Sequence, residues 1–215
     1  SPFSGAIDEG LADYFACSDN DDAELGEATL FPLGAGRDLT VTTKSCPDDM
    51  VGEVHADGEI IGSVSWSVRG EVGKAIGDKL IYGAMLTLDP GANFDDFAKG
   101  ILATADDLVT AGDLTAEQRT AVEGLLAERG LDDCGRIVGI AAGQERRGFM
   151  IGLDIIGQFV GGGCAQAQQF GVELPTLFHY AYKPGASDVA VKIATDMTPD
   201  SNGDLDYTIY ARANE

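Results

Sequence analysis

Gly5-Ala6-Ile7-Asp8-Glu9-Gly10-Leu11-Ala12-Asp13-Tyr14-Phe15 is the stretch on which the reading of this chain turns. Ile7, Leu11 and Phe15 recur every fourth residue, which makes one stripe of a helix apolar. Ser4 stands where a cap would stand, and the periodicity predicts a helix over residues 5–17. Glu9 and Asp13 are also four apart and share a different stripe. Two carboxylates one turn apart repel, and the stretch itself holds no lysine, arginine or histidine to relieve them. The spacing calls for a cation or histidine partner from elsewhere, although a solvated helix face would also present it.

Outward from this helix the chain reads first as helices and then as strands. An acidic run, Ser18 to Glu27, leads into a Gly/Thr-rich loop that extends to about Asp49. Helical zones are expected from Gly58 to Arg69 and from Val72 to Leu88, the latter stopped by Asp89-Pro90-Gly91. Asn93 caps a further helix through Phe94, Phe97, Ile101 and Leu102. Thr115 with Gln118 forms a capping box ahead of Val122, Leu125 and Leu126, and Gly130 stands where that helix should end. Beyond Cys134 glycine becomes dense and short β-prone runs alternate with turn signals such as Lys183-Pro184-Gly185 and Asn202-Gly203. The expected fold class is α+β multidomain. An all-α helical lobe covers residues 1–136, and a small antiparallel β-sandwich covers 137–215.

Composition excludes several functions. Fourteen Lys and Arg against 36 Asp and Glu give a formal net charge of −22. Such a chain repels phosphate backbones and anionic lipid, so neither nucleic acid nor a membrane surface is expected as a partner. No apolar run reaches the roughly 20 residues that cross a bilayer. The four cysteines, Cys17, Cys46, Cys134 and Cys164, form no CxxC pair. Their even number and wide spacing fit two disulfides in an exported protein, against the alternative of four buried thiols. Pairing in order would join Cys17 to Cys46 and Cys134 to Cys164, but three connectivities are open. The opening Ser1-Pro2-Phe3 reads as a processing point, with a recognisable element beginning almost at once.

A second segment, Gly52-Glu53-Val54-His55-Ala56-Asp57-Gly58-Glu59-Ile60, carries one of only two histidines at a loop-to-helix junction. The other, His179, lies in the β region. Taken with the first helix, this segment resembles the gluzincin metallopeptidases, the class that includes thermolysin and fungalysin. The family's third zinc ligand sits on a helix of the type GAxxE-xxxD-xF, matched here by Gly5, Ala6, Glu9, Asp13 and Phe15. Its later VH-x-x-(S/N)G-(I/E) segment is similar to Val54-His55-Ala56-Asp57-Gly58-Glu59. Further likeness runs in order through Trp66, Asp78-Lys79-Leu80, Gly83, Pro90, Phe94-Asp95-Asp96, Asp106 and Ala127-Glu128-Arg129-Gly130-Leu131, so it spans about residues 5–134.

The resemblance implies a zinc endopeptidase with a division of labour. Glu9 is the zinc ligand, and Asp13 is the carboxylate that orients a zinc-bound histidine. His55 stabilises the oxyanion formed when activated water attacks the peptide carbonyl. An acidic residue usually holds that histidine's ring; Asp48 or Asp49 could do so and the spacing does not choose between them. Arg37 is the candidate for binding a substrate carbonyl. His55, Arg37 and Asp49 thus form the expected catalytic set. Calcium is a further expectation, at Asp19, Asp21, Asp22 and Glu24 after the first helix, or at Asp200, Asn202, Asp204 and Asp206.

One departure limits the reading. The HExxH motif that supplies two zinc ligands and the general base is absent from this sequence. The chain is therefore expected to be the carboxy-terminal portion of a secreted enzyme that acts on protein or peptide substrates. Alone it would be inactive, and its partner would be an upstream HExxH-containing lobe of the same protein. The rival expectation is a non-catalytic, peptidase-like module that recognises protein or glycan.

Overall fold

The computed structural model describes residues 2–26, 36–41, 43–50, 52–135, 137–140 and 179–183. The chain divides into two units, Ser1–Tyr182 and Lys183–Glu215. All described residues except Lys183 belong to the first, and the architecture below is that unit's.

Helix α1 spans Pro2–Asn20. It starts earlier than the cap reading of Ser4 predicts, because Pro2 at the first helical position has its φ preset and needs no N–H partner. It ends where Asp21 takes a positive φ of 56° and the Asp22 N–H turns back to the Cys17 carbonyl at 3.1 Å. Helix α2, Val54–Val72, begins at an extended Glu53. Gly73, at φ 83°, separates it from α3, Lys74–Met85. The left-handed backbone needed there is one that glycine adopts without penalty. Helix α4, Phe94–Ala111, starts at Asn93, whose N–H donates to Asp96 at 3.0 Å, and stops at a left-handed Gly112. Helix α5, Ala116–Glu128, carries both bonds of the predicted box, Gln118 N–H to Thr115 Oγ1 at 3.2 Å and Thr115 N–H to Gln118 Oε1 at 3.1 Å. A 3-10 turn, Leu131–Asp133, follows a left-handed Gly130.

One core joins these helices. Phe3 meets Phe94 edge-on at 5.5 Å between ring centres. Tyr14, Ile60, Ile61, Val64, Leu80, Ile81, Phe97, Ile101, Val122 and Leu126 are buried with them. Helix α1 lies along α2, with α3 and α5 also against α2 and with α4 between α3 and α5. The α1–α2 crossing is close for a local reason. A β-carbon on Gly10 would fall 2.4 Å from the Gly58 carbonyl oxygen, and one on Gly58 would fall 3.0 Å from the Ala6 carbonyl oxygen. Ala6 and Gly10 on one helix, and Gly58 and Gly62 on the other, let two backbones touch where larger side chains would hold them apart.

Strands β1, Glu24–Leu25, and β2, Arg37–Asp38, pair antiparallel with Leu25 opposite Arg37. Strands β3, Ile137–Ile140, and β4, His179–Tyr182, pair parallel with Ile137 opposite His179. These ladders correct the expected fold class. Among the described residues the protein is all-α with two two-stranded ladders, and no β-sandwich is present. A parallel pair needs a long crossover, which residues 141–178 are long enough to provide, whereas the turn signals had implied antiparallel neighbours. The remaining β-prone runs of the expected sandwich lie outside the described residues.

The cysteines also depart from pairing in order. Cys46 bonds to Cys134, with their α-carbons 5.8 Å apart, and Cys17 is buried in α1. Cys164 lies outside the described residues. The bridge ties the loop ahead of α2 to the turn after α5, and the Cys46 N–H adds a bond to the Arg129 carbonyl at 2.9 Å. Among the described residues no helix is long and apolar enough to cross a membrane.

Candidate functional site

The two carboxylates of α1 acquire different partners. Nδ1 of His55 lies 3.1 Å from Oε2 of Glu9, and both side chains are substantially accessible, at 52% and 39%. One turn along, Arg37 Nε donates to Asp13 Oδ2 at 2.6 Å and Nη2 donates to Oδ1 at 2.7 Å. Asp13 is only 7% exposed. The repulsion built into the i, i+4 pair is therefore relieved at Asp13 by a guanidinium, while a histidine ring stands beside Glu9.

Each approach follows from the local fold. The glycine contact of α1 with α2 brings the first turn of α2, and His55 with it, beside Glu9. Arg37 arrives from β2, which is held because the Leu39 N–H bonds the Ala23 carbonyl at 3.1 Å and the Leu39 side chain is buried over Gly62. The hydrogen bonds from Arg37 to Asp13 raise the guanidinium's pKa; partial burial opposes this, and the charges of Asp13, Glu59 and Glu9 add to it. Glu59, one turn along α2 from His55, pairs with Lys44 at 2.9 Å, and Lys44 also donates to the Ala56 carbonyl at 3.2 Å. The α1–α2 seam thus presents Glu9 and His55 to solvent between two ion pairs.

Not every expected residue joins this group. Asp49 accepts from the Ser45 N–H at 2.9 Å and from the Ser45 hydroxyl at 3.1 Å, so it closes a turn in the preceding loop. The carboxylate beside the His55 ring is Glu9. The acidic cluster after α1 is dispersed: Asp21 pairs with Arg69, Asp22 Oδ1 accepts from the Glu24 N–H at 3.1 Å, and Glu24 enters β1 opposite Asp38. The hydrogen bond from Arg69 pulls the Asp21 carboxyl below its ordinary range. Arg69 also donates to Ser18 at 3.2 Å and covers the Trp66 ring at 4.3 Å. Among the described residues, no three His, Cys, Asp or Glu side chains gather as a metal site. Asp200 to Asp206 lie outside the described residues.

Three features escaped the sequence reading. Glu53 caps α2 at the base of His55, and a carboxylate just ahead of a helical run was its only local signal. Lys44 and Glu59 pair across a loop, which no short-range spacing announces. The close contact of α1 with α2 is the third, and its unread signal was the four-residue spacing of Ala6 with Gly10 and of Gly58 with Gly62. An apolar groove of 510 Å³ lies elsewhere on α1, lined by Leu11, Phe15, Met85 and Leu88, with neither Glu9 nor His55 among its lining residues.

Compared with protein families, with curated proteins and with solved structures, the chain finds no match.

Proposed function

We propose that this chain is the carboxy-terminal part of a secreted zinc endopeptidase and supplies one face of its cleft. The observation that carries the reading is the meeting of Glu9 and His55. They come from different helices, stand 3.1 Å apart and remain open to solvent. They are also the zinc ligand and the oxyanion-stabilising histidine that the gluzincin likeness implies.

The residues present fit zinc in part. Glu9 offers one accessible carboxylate oxygen donor, which is suitable for the metal but short of the usual three protein ligands. The remaining ligands would come from an upstream HExxH lobe. Zinc, when bound, would supply Lewis-acid activation of water and of the scissile carbonyl. Glu9 would contribute negative charge to the metal. His55 stands beside it, with the ring nitrogen remote from Glu9 placed to meet an oxyanion. Arg37, held rigid by Asp13, keeps Nη1 for a substrate carbonyl.

The test uses the full-length protein with its native upstream sequence. The parent should hold one zinc per chain by elemental analysis and cleave casein. Glu9→Gln should drop zinc below stoichiometric and abolish cleavage, whereas the present chain alone should cleave nothing. Stoichiometric zinc in the Glu9→Gln protein would overturn the assignment. A parent with neither zinc nor activity would favour the binding-module alternative.

A further inference from the structure

We infer that Glu53 is a positioning residue for His55. Its carboxylate spans two backbone donors at the start of α2. The His55 N–H donates to Oε1 at 3.2 Å, and the Ala56 N–H donates to Oε2 at 2.8 Å. Serine, threonine, aspartate and asparagine are the usual caps, and each needs less side-chain ordering than glutamate. A glutamate here is therefore a costlier way to end a helix, but its two oxygens hold consecutive N–H groups that a serine hydroxyl cannot hold together. The negative charge also lies at the positive end of the helix dipole.

The same turn is tied down from its other sides. The buried Asp57 accepts from the Gly52 N–H at 2.8 Å, and Lys44 holds the Ala56 carbonyl. Lys44 belongs to the loop whose later end is stapled by Cys46–Cys134. His55 itself is half exposed, so packing does not orient it. What aims its ring at Glu9 is the direction of its own Cα–Cβ bond, and Glu53 sets that direction through the His55 N–H. The role matters to function only through the peptidase reading, on which this inference rests.

The test compares the chain with Glu53→Ala and Glu53→Ser, with the His55 ring followed by NMR. In the parent the ring should hold one χ1 rotamer and show through-space contacts to the Glu9 side chain. In Glu53→Ser, which keeps a capping hydroxyl, the melting temperature should hold while the ring averages over rotamers and those contacts fade. Glu53→Ala should lose both. Ring rotamer and contacts unchanged in Glu53→Ser would overturn the inference, whatever the enzyme does. In the full-length protein, Glu53→Ser should lower kcat about ten-fold with KM unchanged. Faded ring contacts in a full-length protein lacking zinc and activity would overturn the peptidase reading alone.

Discussion

Arg37 grips Asp13 through both edges of its fork, at 2.6 and 2.7 Å, from a strand 24 residues away in the chain. Asp13 is nearly buried, and its charge is tolerable only because the guanidinium meets it. Arg37→Ala should therefore destabilise the protein by about 1–3 kcal/mol, below the usual cost for a fully buried pair because Arg37 is a third exposed. Arg37→Lys should recover little, since an ammonium cannot make two parallel bonds. Urea unfolding of the two variants measures the difference.

Gly10 and Gly124 should respond oppositely to the same substitution. A β-carbon at Gly10 meets the Gly58 carbonyl oxygen at 2.4 Å, and backbone cannot swing aside. Gly10→Ala should cost about 2–3 kcal/mol and disturb the Glu9–His55 contact as α1 lifts from α2. Gly124 is exposed in α5 with nothing within 4 Å of an added β-carbon. Gly124→Ala should stabilise by about 0.5–1 kcal/mol through the unfolded chain and helix propensity. Thermal melts of both report the contrast.

The Cys46–Cys134 bridge closes a loop with a sequence separation of 88. Chain entropy puts its contribution near 4–5 kcal/mol at most, and native disulfides usually contribute about 2–4. The double variant Cys46→Ala/Cys134→Ala should lose that amount. Peptide mapping without reductant should recover the 46–134 link and no link between Cys17 and Cys46.

Tyr14 should make the protein sensitive to alkali. Burial pushes its phenol pKa up, and its hydrogen bond to Asp78 at 2.7 Å raises it further. The folded state thus holds a proton that the unfolded chain releases near pH 10. The contribution is complete below pH 10 and falls as pH rises above it, by about 1.4 kcal/mol per pH unit while only the unfolded form is ionised. Between pH 9 and 11 the parent's urea midpoint should fall more than that of Tyr14→Phe.

The helices were largely legible because their signals are local. Asn93 with Asp96, Thr115 with Gln118, and the glycines at 112 and 130 act within one turn of themselves, so spacing suffices to read them. A break between α2 and α3 was expected between Arg69 and Val72; it falls at Gly73 because the apolar period continues through Val72 and backbone conformation decides the residue at which the helix stops. The expected sandwich failed on pairing direction, which alternation of side chains cannot encode: the same β-prone run serves a parallel or an antiparallel neighbour.

By itself the sequence determined that α1 would be amphipathic and that Glu9 and Asp13 would share a face, either solvated or met by positive or histidine partners. It also set the acidic charge and the absence of HExxH. Only the tertiary structure decided which partner each carboxylate takes. Those contacts join residues distant in the chain, and they depend on how closely α1 and α2 approach. Four small residues set that distance: with Ala6, Gly10, Gly58 and Gly62 in contact, His55 reaches Glu9, and the strand anchored over Gly62 delivers Arg37 to Asp13.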